Sequence, residues 1–227
     1  MIVGRGLLAT AFENSSLPKD VLIFASGVSN SKETNPDQFR RELDLLIHTI
    51  HGNRDKRLVY FSTASVLDSE LSDEPYVLHK LNCEELIRIN VPNHLILRVT
   101  NVVGNSGNPT TVFNFFVKKI RQQTLFELWV NACRNLVDIE DVVRITSALL
   151  DEKHTVTPFL LANPTNHPVS ELVASLERRL NKKAHYTTVH KGSCASYNLA
   201  DTLAFYDKIG LSFSNDYLNQ LIDRYVR

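Results

Sequence analysis

Thr63, Tyr76 and Lys80 are the side chains whose types and spacing could do chemistry together. In "EPYVLHKLNCEELI" Tyr76 and Lys80 stand four residues apart, so a helix would place them on one face, a turn from each other. A tyrosine titrates near about 10 and is a poor proton donor or base at neutral pH. An ammonium on the same face would favour the phenolate and bring proton transfer into the working range. Thr63 closes the run "LVYFST", and a hydroxyl at the carboxyl end of a parallel strand lies where α/β sheets bind ligands. It could share one substrate oxygen with Tyr76. Taken alone, Tyr-x-x-x-Lys reads equally as a half-buried tyrosine beside a snorkelling lysine. Its position one strand-to-helix connection after "STASV" favours the chemical reading.

A second candidate opens the chain. In "VGRGLLATAF" Gly4-x-Gly6-x-x-Ala9 follows a short apolar run and leads into a helical segment. That is the context in which glycines let a backbone approach a pyrophosphate and helix N–H groups meet its charge. A tight strand-to-helix turn with no ligand explains the same residues.

The elements that must position these groups alternate. Apolar, β-rich runs at "DVLIFASG" (20–27), "KRLVYFSTASV" (56–66) and "NHLILRVTNVVG" (93–104) are separated by helical patterns. "NPDQFRRELDLLIHTIHG" carries Leu43, Leu46, Ile47 and Ile50 at helical spacing, with Pro36 near its start and Gly52 at its end. "YVLHKLNCEELIRI" and "TVFNFFVKKIRQQ" read as helices, and "ACRNLVDIEDVVRITSALLD" as a short strand running into a helix. The order β-α-β-α-β-α-β-α is that of an α/β fold, a Rossmann-like doubly wound parallel sheet. Residues 1–150 form the expected dinucleotide-binding core. Residues 151–227 form a small, mainly helical C-terminal substrate-binding part that is not an independent domain. "FELW" reads as core or pocket wall.

Composition narrows the classes. The chain has 227 residues, 43% apolar and 22% charged, with zero formal net charge. No basic excess or like-charge block points to nucleic acid. No apolar run is long enough to span a bilayer, so no membrane association is expected. Cys83, Cys133 and Cys194 are odd in number and far apart, which argues against a disulfide framework or a zinc site and fits a reducing, cytoplasmic setting. No metal-ligand spacing is seen among the histidines.

In order along the chain, "GRGLLATAF", "DVLIFASGVS", "STASV", "YVLHK", "LRVTNVVG" and "CRNLVDIEDVVRI" resemble the successive motifs of the extended short-chain dehydrogenase/reductase family. That family comprises NAD(P)-dependent nucleotide-sugar epimerases, dehydratases and ketoreductases, and the resemblance covers nearly the whole chain. It implies a catalytic trio of Thr63, Tyr76 and Lys80. It places Gly4, Arg5, Gly6, Leu7, Leu8, Ala25 and Ser26, with Tyr76 and Lys80, against the cofactor. It assigns Asn101, Asn114 and Arg134, with Thr63, to a nucleoside-diphosphate sugar. An amide and a guanidinium suit diphosphate oxygens. Alternatives are a turn-capping role for Asn101 and a surface ion pair of Arg134 with Asp138 or Glu140.

The pattern departs from the family in places. "ENSSLPKD" joins the first helix directly to "VLIFASG", so the strand whose end reads the adenosine ribose, with the helix and strand after it, has no counterpart. Arg5 in the glycine turn could face a 2′-phosphate, which favours NADP over NAD. Ala64-Ser65 follow Thr63 where dehydratases of the family carry Asp-Glu, which counts against dehydration. The expectation is a 4-keto-sugar reductase in shortened form. The alternatives are an epimerase of the same family and a degenerate, non-catalytic nucleotide-sugar-binding relative. A homodimer through the helices near 37–51 and 76–90 is possible, with Leu43, Leu46 and Leu81 serving core or interface.

Overall fold

The computed structural model describes residues 1–105, 108–153 and 157–227. In chain order its elements are β1 (Ile2–Val3), α1 (Leu7–Glu13), β2 (Val21–Phe24), α2 (Pro36–Gly52), β3 (Arg57–Thr63), α3 (Pro75–Asn90), β4 (His94–Val99) and β5 (Asn101–Val103). There follow α4 (Val112–Arg121), β6 (Phe126–Trp129), β7 (Cys133–Asp138), α5 (Ile139–Asp151), β8 (Phe159–Leu161), β9 (Asn166–Pro168), α6 (Val169–Leu180), β10 (Tyr186–Val189), α7 (Ala200–Lys208) and α8 (Tyr217–Tyr225). Short 3-10 turns, Ala64–Leu67 and Ser69–Leu71, link β3 to α3. The chain forms two compact units, residues 1–100 with 139–161 and residues 101–138 with 162–227.

The first unit is built on a sheet of order β1-β2-β3-β4-β8, parallel at every pairing. All four residues of β2 and all seven of β3 are buried, as continuous apolar runs demand when both faces are covered. One face carries Leu22, Phe24, Leu58, Tyr60 and Ile96, packed on Leu46 and Ile50 of α2 and on Cys83 and Ile87 of α3. On the other face Phe61 meets Phe12 of α1 at 5.7 Å between ring centroids. The Asn35 side chain accepts from Asp37 N–H and Pro36 fills the first turn, which starts α2 where the sequence predicts.

Residues 14–20 carry the chain from α1 straight to β2, with no strand or helix between. This has a topological consequence. β1–α1–β2 and β2–α2–β3 step the same way along the sheet, yet α1 and α2 cover opposite faces. The two crossovers therefore have opposite hand, and one takes the hand that parallel sheets rarely use.

The second unit has a three-stranded sheet, β5-β7-β9, with β5 parallel and β9 antiparallel to β7, and a parallel pair, β10-β6. Helices α4, α6 and α8 share its core through Phe113, Phe116, Ile120, Leu172, Leu176, Leu218 and Ile222. The single strand expected over 93–104 is divided. After Thr100, whose N–H still bonds Leu161 O, the chain leaves the first sheet and Asn101–Val103 joins the second. Apolar alternation shows that a run is extended and says nothing of which sheet it joins.

The cysteines correct the expectation of no disulfide, for Cys133 and Cys194 are bonded and Cys83 is free and buried. β10 runs beside β6, and the chain leaving it passes the start of β7, where Cys133 N–H donates to Ser193 O. Sixty-one positions in sequence are thereby closed in space. Among the described residues no helix is long and apolar enough to cross a membrane.

Candidate active site

The first set of candidates lies in the first unit. Thr63 is the last residue of β3, and its Oγ1 accepts from Ser65 N–H at 3.2 Å and lies 3.1 Å from Ser65 Oγ. It caps the 3-10 turn that carries the chain toward α3. Tyr76 and Lys80 sit on the first turns of α3, started by Pro75. The buried face of this helix is largely polar: Tyr76, His79, Lys80, Cys83 and Glu84 point inward. Tyr76 packs with Val28 and Val77. The Lys80 ammonium lies 5.8 Å from the Tyr76 ring centroid.

Lys80 is 3% exposed, and its Nζ donates to Glu42 Oε1 at 2.7 Å and to the Tyr60 hydroxyl at 3.2 Å. Glu42, on α2, is fully buried. Its carboxylate also accepts from Tyr60 OH at 2.8 Å and Val28 N–H at 2.7 Å, and His79 Nε2 lies 2.9 Å from its Oε2. Burial alone would raise the Glu42 carboxyl. The bonds from His79, Lys80 and Val28, with the Lys80 charge, outweigh it and hold the group down at about 2. An ionised carboxylate only accepts, so His79 donates from Nε2. Burial lowers the Lys80 ammonium, but the Glu42 charge overrides it and the net direction is upward. Burial and the same charge push the Tyr60 phenol well up and the Cys83 thiol up to about 11. Glu42, His79 and Cys83 are of metal-ligand type and close together. The carboxylate is already filled by four donors and the thiol is held protonated, so the cation of this cluster is the ammonium.

Next along α3, Glu84 is likewise buried. It accepts a two-pronged bond from Arg98 Nε and Nη2, a bond from Arg88 Nη2 and one from Ser62 Oγ. This accounts for Arg98 in "LRVTNVVG" as a strut between β4 and α3.

Gly4 has φ +135°, and a methyl group there would lie 2.5 Å from Ala25 O. The glycine is needed because the Ala25–Ser26 backbone runs against it, which joins these two cofactor candidates in one wall. Gly6 differs. Its φ is −85°, and a Cβ built on it meets nothing within 4 Å. Neither backbone conformation nor packing requires a glycine there, so the open space fits a dinucleotide close to the backbone. Arg5 is exposed beside it, and Leu7 and Leu8 begin α1, half-buried.

The second set lies in the second unit. Asn101 and Arg134 are on the adjacent strands β5 and β7, and Asn101 Nδ2 donates to Asn135 O at 2.9 Å. Arg134 Nη1 donates to Cys133 O at 2.6 Å, and burial lowers its guanidinium, partly offset by Tyr197. The Asp138 carboxylate accepts from Arg224 Nη1 and Tyr225 OH. Asn114, on α4, donates to Asn108 O at 2.8 Å.

Glu42 and Tyr60 were not singled out from sequence. The signal was present, since Glu42, Leu46 and Ile50 recur every four residues on the buried stripe of α2. A carboxylate in that register needs a buried cation.

Residues 5–160 match the NAD dependent epimerase/dehydratase family. A search of curated proteins gives no match. Among solved structures, UDP-glucuronic acid 4-epimerase from Bacillus cereus, in complex with NAD, is similar with TM-score 0.72 at 18% identity, over 96% of this chain and 74% of that one. RMD from Pseudomonas aeruginosa, complexed with NADPH, gives 0.67 at 15% identity, over 98% and 87%. UDP-glucose-4-epimerase from Stenotrophomonas maltophila, with bound NAD and formylated UDP-arabinopyranose, gives 0.70 at 16% identity, over 96% and 78%. At these identities the likeness is one of fold.

Proposed function

The chain belongs to the NAD dependent epimerase/dehydratase family, and from that premise we propose that it is an NAD(P)-dependent oxidoreductase of a nucleoside-diphosphate sugar, reducing a 4-keto sugar. The observation that carries this reading is the open space over Gly6 at the start of α1, in the same unit as the Tyr76–Lys80 pair. When bound, the nicotinamide supplies the hydride. Gly4, Arg5, Gly6, Leu7, Leu8, Ala25 and Ser26 would hold the cofactor. Thr63 would hydrogen-bond the ketone oxygen, and Tyr76 would deliver the proton to that oxygen as it becomes a hydroxyl. Lys80 would hold the Tyr76 site electrostatically and has one N–H left for the cofactor ribose. Asn101, Asn114 and Arg134 would bind the diphosphate.

NADP is favoured over NAD through the exposed Arg5. Residues 1–150 are read as the cofactor core and 151–227 as support for the substrate. A homodimer through α2 and α3 is part of the reading, on the exposed Leu78 (51%) and Ile89 (71%). Leu46 belongs to the core, while Leu43 and Leu81 are half-buried. A cytoplasmic location is also part of it; the Cys133–Cys194 bond weighs against that location, since cytosolic thiols are kept reduced.

Epimerisation is the second reading, favoured by the similar structures that are 4-epimerases. The deciding experiment has two arms. NADPH and NADH are titrated by cofactor fluorescence, and turnover is assayed on a 4-keto-6-deoxy nucleotide sugar and on the parent 4-hydroxy sugar, with Tyr76→Phe as control. Reduction of the keto sugar that drops at least about a hundredfold in Tyr76→Phe supports the reading. C4 inversion of the parent sugar without net reduction supports epimerase instead. Failure to bind either cofactor at millimolar concentration sinks both and leaves a non-catalytic binding protein.

A further inference from the structure

We propose that Glu42 is a positioning residue of the proton-transfer centre: from the interior of α2 it fixes the Lys80 ammonium and cancels its charge beside Tyr76. The inference rests on the reading that Tyr76 moves the proton, and deepens it by saying which direction of reaction the site favours.

The geometry is closed on every side. Four donors from three segments converge on one carboxylate: the loop after β2 through Val28 N–H, β3 through Tyr60, and α3 through both His79 and Lys80. Four donors fill the acceptor sites of a carboxylate, so Glu42 has no freedom to swing away. The ammonium has three N–H groups; one is on Glu42 and one on Tyr60, which leaves one. Gly27 shows how tightly the loop is drawn over the pair, since a methyl group there would lie 2.7 Å from Lys80 Nζ and 2.9 Å from Glu42 Oε1.

Stability does not require this arrangement. A buried ion pair can usually be replaced by apolar side chains of similar volume with little loss. What the pair does here is set the field at Tyr76. The hydrophobic neighbours of the tyrosine's cluster, Val28, Val77, Phe39, Val66, Leu71 and Leu81, carry no charge. Lys80 is the cation 5.8 Å from the ring, and Glu42, 2.7 Å behind it, turns that cation into a dipole. A bare ammonium would stabilise the phenolate; a neutralised one does so less. Glu42 thus withdraws much of the cationic stabilisation that a Tyr76 phenolate would otherwise receive from Lys80, and the phenol is the form that can give a proton to an oxygen. That is the form a ketone reductase needs at the start of its step, whereas oxidation of an alcohol needs the phenolate.

The test is ultraviolet titration of phenolate in the wild type and in Glu42→Gln, each subtracted from its Tyr76→Phe counterpart so that only Tyr76 is read. The expected result is a Tyr76 midpoint lower by about one pH unit in Glu42→Gln, and an alkaline limb of the reduction rate that moves down with it while KM for the sugar stays the same. Coincident midpoints in folded Glu42→Gln and wild type overturn the proposal. Should Glu42→Gln not fold, Glu42→Asp decides. It keeps the charge one methylene farther from Lys80, and the proposal expects a smaller downward shift; no shift overturns it. The double variant Glu42→Gln/Lys80→Met, with both charges gone, is expected at or above the wild-type midpoint, and a lower one overturns the proposal. The titration needs neither cofactor nor sugar, so absence of turnover on keto sugars, which would remove the reductase reading, is a separate outcome.

Discussion

Gly6 and Gly27 place opposite demands on a methyl group, and that contrast gives a clean experiment. Gly6→Ala meets no neighbour and no positive φ and loses only a glycine helix cap, so it is expected to change stability by no more than about 1 kcal/mol. If a dinucleotide lies there, the same variant should bind NADPH at least about tenfold more weakly, a loss of about 1.4 kcal/mol, by fluorescence titration. Gly27→Ala should instead cost about 1–3 kcal/mol in thermal unfolding, because its methyl group would press on the Lys80–Glu42 pair. The pair also sets a pH dependence. The Glu42 carboxyl is held at about 2, below its ordinary value, so its contribution is present above about pH 4–5 and is lost as pH falls toward 2. Acid unfolding of the wild type should show this loss. Glu42→Gln, which leaves a buried ammonium uncompensated, should cost about 3–5 kcal/mol at pH 7, with much of it recovered in Glu42→Gln/Lys80→Met. Thr63, Tyr76 and Lys80 were legible because their spacing carries chemical meaning within a few residues. Glu42 was not, because its partners come from positions 28, 60, 79 and 80 and only the fold assembles them.

The long helices and buried strands were legible for the same local reason: α2 has a side-chain cap and an apolar stripe, and α2 and α3 each open on a proline in the first turn. The short strands β6, β9 and β10 were not. Phe126–Trp129 alternates buried and open residues over only four positions, and Tyr186–Val189 is almost wholly exposed, so neither produces a run that stands out. Their pairing nevertheless decides the disulfide, because β10 delivers residue 194 to the start of β7. Closing a loop of this length removes enough chain entropy in the unfolded state to stabilise the fold by about 4 kcal/mol. Cys133→Ser/Cys194→Ser, or reduction with a phosphine, should lower the unfolding free energy by up to that amount in denaturant titration. If Arg134, bonded to the Cys133 carbonyl, binds the sugar diphosphate as proposed, substrate affinity is a second readout of the same change.

At the scale of the whole chain, the two compact units do not follow the linear order of the sequence: 139–161 returns to the first unit after 101–138 has built part of the second. Sequence patterning shows where elements are, but such a return depends on long-range pairing, here β4 with β8 through Leu97–Phe159 and its neighbours. If α2 and α3 form the contact between two copies, sedimentation should give about twice the 25.7 kDa chain mass, and Leu78→Arg/Ile89→Arg should give the single chain. The abrupt passage from α1 to β2 has one more effect. It leaves β1 as the outermost strand of its sheet, where an unpaired backbone could recruit a stranger and seed aggregation. Two residues offer an incoming chain too few donors and acceptors to hold on, so the shortening that uncovered this rim also keeps it from sticking.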